Sequence, residues 1–213
     1  MKALLLVNGE LYKPDVVRSR IRKEAFDLVL GADGGARYAR TLNVKVDAVV
    51  GDLDSLSDLE QQGMKAEFVS YPPEKDETDL ELALLYAKKR GIGRIVMVGA
   101  MGGRMETTIA NILLMANASL SSCRIEVWHG EQTGWAVKPP GEDISGHPGD
   151  TLSLIALGGH ASGVRTEGLK YPLKDEELSL GSSRGISNLM DGPLAHVKLS
   201  RGLLLAVHTP GRA

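Results

Sequence analysis

Apolar residues in the first part of the chain gather in short runs, at residues 3–7, 28–30, 48–50, 67–70, 94–98 and 124–128. Runs of this length, bounded by glycine, asparagine, aspartate or proline, predict buried β-strands. Between them the apolar spacing changes to that of helices, over residues 14–25, 36–42 and 56–63. Further along, Leu80, Ala83, Leu84 and Ala87 share one helical face, and Thr78 and Glu81 have capping-box spacing, which places Asp79 in the first turn. Ile109, Ile112, Leu113 and Ala116 mark another such face. Strand alternating with helix at this pitch predicts an α/β fold built on a doubly wound, mostly parallel sheet.

Around residue 131 the texture changes. Helical periodicity stops, and strand-like runs at 133–137, 151–157, 161–166, 195–199 and 203–209 alternate with glycine, proline and serine turns. Leu152, Leu154 and Ala156 alternate with polar Thr151 and Ser153, the pattern of a strand with one buried face. Ser200-Arg201-Gly202 joins two runs and predicts a hairpin, while Pro139-Pro140-Gly141 reads as a turn. The expectation is two domains, an α/β one over 1–130 and a small all-β one over 131–213.

The polar clusters of the first domain fall where its apolar runs end: Gly31-Ala32-Asp33-Gly34-Gly35, Gly51-Asp52-Leu53-Asp54-Ser55, Lys75-Asp76-Glu77-Thr78-Asp79, and Gly99-Ala100-Met101-Gly102-Gly103-Arg104. Parallel sheets bind ligands outside the carboxyl ends of their strands. Asp33, Asp52, Asp54, Asp76, Asp79 and Arg104 are therefore expected to line one crevice. Neighbouring carboxylates raise one another's pKa, so a cluster that stays ionised near neutral pH calls for a cation. Hard oxygen ligands suit Mg²⁺, which keeps places for water and substrate phosphate; Mn²⁺ favours the same donors. Taken singly, each aspartate reads equally well as a turn or N-cap residue. Glycines between strand and helix offer backbone N–H groups to anions, and Arg104 adds a planar donor for phosphate.

Composition narrows the classes. The 213 residues carry 25 basic and 27 acidic side chains without a run of like charge, and aromatic residues are sparse, which argues against a nucleic-acid surface. No apolar run approaches the roughly 18 residues of a membrane span, and residues 3–7 are too few for a secretory signal. A single cysteine, Cys123, permits no intrachain disulfide and fits a cytoplasmic protein. Cys123 has no paired histidine to make it a nucleophile, and His129, His147, His160, His196 and His208 lack metal-ligand spacing. Asp52 and Asp54 are followed by Ser55-Leu56 rather than by the threonine usual in phosphatases that form an aspartyl-phosphate.

Taken together and in order, Gly31-Ala32-Asp33-Gly34-Gly35, Gly51-Asp52-Leu53-Asp54-Ser55, Lys75-Asp76-Glu77-Thr78-Asp79, Gly102-Gly103-Arg104 and Ser187-Asn188 resemble the thiamine pyrophosphokinases over nearly the whole chain. The resemblance implies an ATP-binding catalytic domain over 1–130, a thiamine-binding and dimerisation β-sandwich over 131–213, and a homodimer with thiamine held between subunits. It implies Mg²⁺-dependent transfer of the pyrophosphoryl group of ATP to the hydroxyl of thiamine, giving thiamine diphosphate and AMP. By position, Asp52, Asp54 and Asp79 match the Mg²⁺ ligands. Lys75 and Asp76 lie beside the phosphates, and Asp33, Gly34, Gly35, Gly103 and Arg104 fall in the nucleotide crevice. The catalytic set is then Asp52, Asp54, Asp76 and Asp79, one of which accepts the alcohol proton.

Glu106, Tyr171, Ser187 and Asn188 fall to the thiamine side, where two departures stand out. The family typically reads Gly-Gly-Arg-x-Asp-His, against Gly102-Gly103-Arg104-Met105-Glu106-Thr107 here, and often has tryptophan at the position of Tyr171. These departures leave a rival acceptor open, another heteroaromatic alcohol such as a hydroxymethylpterin. A non-catalytic nucleotide or thiamine sensor and a metal-dependent phosphohydrolase are the rivals from other classes.

Overall fold

The computed structural model describes residues 1–57 and 63–211, and the chain separates after Gly130 into two units, Met1–Gly130 and Glu131–Ala213. The helix expected over residues 56–63 lies largely outside the described residues. In the first unit, β1 (Lys2–Leu6), β2 (Leu28–Ala32), β3 (Ala48–Gly51), β4 (Glu67–Ser70), β5 (Arg94–Val98) and β6 (Arg124–His129) form a parallel sheet. Its order is β6-β5-β1-β2-β3-β4. The chain thus starts in the middle, winds outward to β4, and returns to the other side of β1.

Both faces of this sheet are covered, which is why its strands read as continuous apolar runs rather than alternating ones. On one face Leu4, Leu6, Val49, Val96 and Val98 pack against Val17 and Ile21 of helix α1 (Pro14–Arg22) and Leu42 of α2 (Tyr38–Leu42). Side chains alternate along a strand, so Ala3 and Leu5, equally buried, face the other way. Helix α3 (Asp79–Lys89) lies against β2 and β3 and buries Leu80, Ala83, Leu84 and Ala87. The N-cap half of the expected capping box forms, with Glu81 N donating to Thr78 Oγ1 at 3.2 Å, while Glu81 Oε1 accepts from Asn117 Nδ2 at 2.8 Å.

Two helices differ from expectation. A tight 3₁₀ turn, Asp33–Arg37, precedes α2, because the glycines there pull the chain against β1. Helix α4 (Met105–Leu113) leaves Met105, Ile109 and Leu113 exposed and buries polar Asn111 instead. Asn111 is drawn inward by its hydrogen bond to the Ala100 carbonyl at 2.8 Å.

At the strand-start end of the sheet, Glu126 of β6 is buried among apolar neighbours. Arg94 Nη2 reaches its carboxylate at 2.7 Å and Arg124 Nε at 2.9 Å, while Arg94 also pairs with Glu24. This network explains how a charge survives inside an apolar strand.

The second unit is an antiparallel β-sandwich. One layer has the order β12-β9-β14-β7 and the other β11-β10-β13-β8, with β7 (Gln132–Val137), β8 (Gly141–Ser145), β9 (Thr151–Ala156), β10 (Ala161–Glu167), β11 (Lys174–Leu178), β12 (Asn188–Leu189), β13 (Leu194–Lys198) and β14 (Leu204–Thr209). Val137, Leu154 and Ala206 of the first layer meet Ile144, Val164 and Val197 of the second in one core. The expected hairpin at Ser200-Arg201-Gly202 is absent. β13 pairs with β8 and β10, whereas β14 pairs with β7 and β9, so this turn carries the chain from one layer to the other. Gly202 permits the corner: its φ is 96°, and a Cβ there would lie 2.5 Å from the His160 carbonyl oxygen. Among the described residues no helix is long and apolar enough to cross a membrane.

Candidate active site

The sheet of the first unit reverses winding direction between β1 and β5, and the loops leaving those strands touch there at backbone level. Val7 N donates to Val98 O at 2.9 Å and Gly9 N to Gly99 O at 2.8 Å. Gly99 has φ 72°, and a Cβ would lie 2.3 Å from Val7 O, so only glycine allows this approach. A crevice of about 650 Å³ opens at this end, with Asn8, Asp33, Lys75, Asp79, Arg104 and Glu106 in its wall.

Asp33 follows β2 in the left-handed region, φ 45°, where a non-glycine residue is strained by about 1–2 kcal/mol. It is 6% exposed, and its Oδ1 has no hydrogen-bond partner among the described residues. Gly34 and Gly35 behind it serve close packing, since Cβ atoms there would lie 2.7 Å from Asn8 Nδ2 and 2.3 Å from Leu6 O.

Asp52 and Asp54 are folded onto one side of a tight turn. Asp54 N donates to Asp52 Oδ1 at 3.3 Å across left-handed Leu53, and Ser55 Oγ donates to Asp54 Oδ1 at 3.2 Å. As a result, one carboxylate oxygen from each of Asp33, Asp52 and Asp54 lies within 4.8 Å of the others.

Asp79 stands beside this group rather than in it. Its Oδ1 lies 2.9 Å from Lys75 Nζ, which also reaches Asp52 Oδ2 at 3.5 Å. The Lys75 ammonium thus sits between the carboxylates of Asp52 and Asp79. Burial pushes the Asp52 carboxyl up, but the Asp54 N–H and the Lys75 ammonium outweigh it and hold the group below the usual carboxylate range. For Lys75, burial pushes down, while Asp79 and Asp52 together raise the ammonium above its ordinary value. Asp76 is exposed; its neighbours Lys75 and Glu77 line the crevice.

On the opposite wall Gly102 and Gly103 take φ values of 82° and 72° and lead into α4. Arg104, at the N-cap of α4, has its Nε 3.0 Å from Glu106 Oε1 and donates to Thr107 Oγ1 at 3.3 Å, with both charged side chains largely exposed. Tyr171, Ser187 and Asn188 lie in the second unit. There Tyr171 and Asn188 touch: Tyr171 N donates to Asn188 Oδ1 at 3.0 Å and Asn188 Nδ2 to Tyr171 O at 2.7 Å. Ser187, exposed and left-handed, donates its N–H to Ser153 Oγ. Asn8 is a wall residue not anticipated from the sequence, where Asn8-Gly9 reads only as the stop of β1.

Carboxylates that converge near a lysine, beside a glycine-arginine loop at a switch point, are groups of the kind that can hold a cation and the phosphates of a nucleotide. Fold and site together define a nucleotide-dependent transferase of phosphoryl groups. Residues 21–127 match the family model for the thiamin pyrophosphokinase catalytic domain, and residues 141–204 match that for its vitamin B1 binding domain. The chain belongs to the thiamin pyrophosphokinase family, ATP-dependent enzymes that make thiamine diphosphate. A thiamine pyrophosphokinase of Bacillus subtilis (strain 168) is 27% identical over 187 residues, which cover 85% of this chain and 87% of that protein. The crystal structure of a Bacillus subtilis thiamine pyrophosphokinase superimposes with a TM-score of 0.85 at 23% identity, covering 99% of each chain. Yeast thiamin pyrophosphokinase gives 0.78 at 18% identity, covering 97% of this chain and 86% of that one. At such identities the solved structures bear on the fold.

Proposed function

We propose that the crevice of the first unit binds Mg²⁺-ATP and transfers its pyrophosphoryl group to the hydroxyl of thiamine, with the second unit supplying thiamine contacts and a dimer surface. The observation that carries this reading is the convergence of Asp33, Asp52 and Asp54, with Asp33 Oδ1 buried and unpartnered. Three hard oxygen donors at this spacing fit a small divalent cation that keeps other positions for water and phosphate. Once bound there, the cation neutralises phosphate charge and aligns the reacting oxygens.

The chain's own groups supply the remainder. Lys75, flanked by Asp52 and Asp79, is placed to turn its ammonium to a phosphate. Arg104 offers a fork of donors on the far wall, next to the N–H groups of Gly102 and Gly103. The thiamine hydroxyl oxygen bonds to the β-phosphorus of ATP while the bond from that phosphorus to the α–β bridging oxygen breaks, and AMP leaves with that oxygen. The hydroxyl proton passes to one of Asp52, Asp54, Asp76 and Asp79. Glu106 brings a negative charge to the crevice wall, and Tyr171 exposes a ring that suits a flat cationic heterocycle. Exposed Met105, Ile109 and Leu113 on α4 and Leu180 and Ile186 in the second unit support a homodimer. A buried free thiol at Cys123 fits a cytoplasmic setting.

The test is AMP release from Mg²⁺-ATP with and without thiamine, following thiamine diphosphate in the same tube. Matched, thiamine-dependent formation of both products is expected. ATP binding without AMP would overturn the acceptor assignment, and AMP released with a hydroxymethylpterin instead of thiamine would replace it.

A further inference from the structure

Between β10 and β11 the loop buries Leu169 and Leu173, 3% and 2% exposed, whereas Tyr171 between them is 54% exposed. Strict alternation would put residues 169, 171 and 173 on one face, so it is the bends at residues 170 and 171 that turn the tyrosine outward while both leucines enter the core. The leucines do not fix the tyrosine peptide itself; Asn188 does. Its Oδ1 accepts from Tyr171 N and from Leu189 N, each at 3.0 Å, and its Nδ2 donates to Tyr171 O at 2.7 Å. The reverse amide orientation would set hydrogens against two N–H groups, so the network selects this one. Around the clasp, Lys170 N donates to Leu189 O at 2.9 Å and Asp191 N to Gly168 O at 3.0 Å, with Leu169 bridged to Met190. Asn188 is 7% exposed, and both its carbonyl oxygen and its amino group are engaged by backbone.

We propose that Asn188 is a positioning residue, which locks the Tyr171 peptide so that the ring stands out as a platform for the acceptor, and that it makes no contact with the acceptor. The proposal rests on the reading of Tyr171 as a wall of the acceptor site. It differs in kind from a substrate-binding asparagine, because the effect of Asn188 must pass entirely through Tyr171. It also predicts an inverted response to charge. Aspartate at this position retains an acceptor for the two N–H groups but sets a carboxylate oxygen against the Tyr171 carbonyl, whereas in direct contact with a cationic acceptor it would tighten binding.

The experiment uses the full-length protein at saturating Mg²⁺-ATP and measures kcat and the thiamine KM for Asn188→Ala, Asn188→Asp, Tyr171→Ala and the double variant Asn188→Ala/Tyr171→Ala. Both Asn188 variants should raise KM about tenfold, as expected for losing a buried hydrogen-bond pair, and leave kcat nearly unchanged. In the Tyr171→Ala background, Asn188→Ala should add nothing to KM. Additive losses, or a lower KM in Asn188→Asp, would overturn the proposal. Hydrogen exchange gives a readout independent of catalysis: the Tyr171 and Leu189 amides should lose protection in Asn188→Ala while the β14 amides keep theirs. Unchanged protection refutes the clasp. A Tyr171→Ala variant with unchanged KM but a weakened clasp in Asn188→Ala refutes instead the platform, and with it the role of Asn188 in acceptor binding. Asn188→Asp is close in shape to the parent and serves if the alanine variant fails to fold.

Discussion

Lys75 and Asp79 meet at 2.9 Å across the start of α3, and the same ammonium lies 3.5 Å from Asp52. The acidic group therefore carries a counter-charge of its own, with the Lys75 side chain only 11% exposed. Lys75→Met removes that charge. Without divalent ion the variant should melt below the parent, and MgCl₂ should raise its Tm by more than it raises the parent's. Turnover should fall about a hundredfold, the scale of losing one charge-stabilising donor. Thermal melts with and without MgCl₂ decide this; equal shifts in the two proteins would mean that lysine and cation do not share the carboxylates.

Asp33 is strained and carries an unpartnered buried oxygen. Asp33→Gly relieves both, at a position where glycine is at ease. The expected outcome is a Tm increase of about 2–4 °C, corresponding to roughly 1 kcal/mol, together with loss of turnover. Asp54→Asn, at an exposed position, should abolish turnover with little change in Tm. A destabilised Asp33→Gly protein, or an active Asp54→Asn protein, would contradict the assigned roles.

Gly51 lies where two carboxylates crowd the backbone. Its φ is 153°, and an added Cβ would lie 3.0 Å from Asp79 Cγ and 3.1 Å from Asp33 Cβ. Gly51→Ala should push these side chains apart, lowering kcat by about 10²-fold, the scale of a 1 Å misplacement. Metal titration by calorimetry should show weaker binding, and the strain of alanine at this φ should lower Tm; unaltered metal binding would show that the cluster tolerates the displacement.

Far from the crevice, Glu126 makes stability depend on pH. Burial pushes its carboxyl up, but hydrogen bonds and charge from Arg94 and Arg124 outweigh this and hold it below the usual carboxylate range. Glu24 shifts the same way, with Arg94 and Lys2 outweighing its burial. A carboxyl lowered in the folded state binds fewer protons there than in the unfolded chain. Its stabilisation is complete above the unfolded value and is lost as pH falls through the folded one. Urea unfolding should therefore show stability declining below about pH 4.5. Glu126→Gln should cost about 1–3 kcal/mol at pH 7 and flatten that decline. An equally steep decline in the variant would place the titrating groups elsewhere.

The central strands of the first unit were legible because they are buried on both faces, so that Ala3, Leu4, Leu5 and Leu6 form an unbroken run, whereas edge strand β4 has no fully buried residue. Strand β11, Lys174-Asp-Glu-Glu-Leu, was invisible for the opposite reason: it is an edge strand with Leu178 as its buried residue. β8 likewise buries only Ile144. A glycine corner between sandwich layers has the same composition as a hairpin turn, and local chemistry does not separate them at Gly202. Asp52, Asp54 and Asp79 announced themselves by their spacing at strand ends. The convergence of Asp33 with Asp52 and Asp54 depends on the left-handed turns at Asp33 and Leu53, which composition does not encode. Glu126 did leave a signal, since a charge inside an apolar strand needs partners, and Arg94 and Arg124 stand opposite each other in neighbouring strands.

Strand β14, the last described strand of the second unit, lies between β7 and β9, with Ala206 opposite both Trp135 and Leu154. Until residues 204–209 are in place, β7 and β9 have no shared partner, and each presents a bare edge open to pairing with another chain. The sandwich therefore cannot complete itself progressively as the polypeptide leaves the ribosome. It must wait for residues 204–209, and chains that have not yet reached them should be the aggregation-prone species during synthesis.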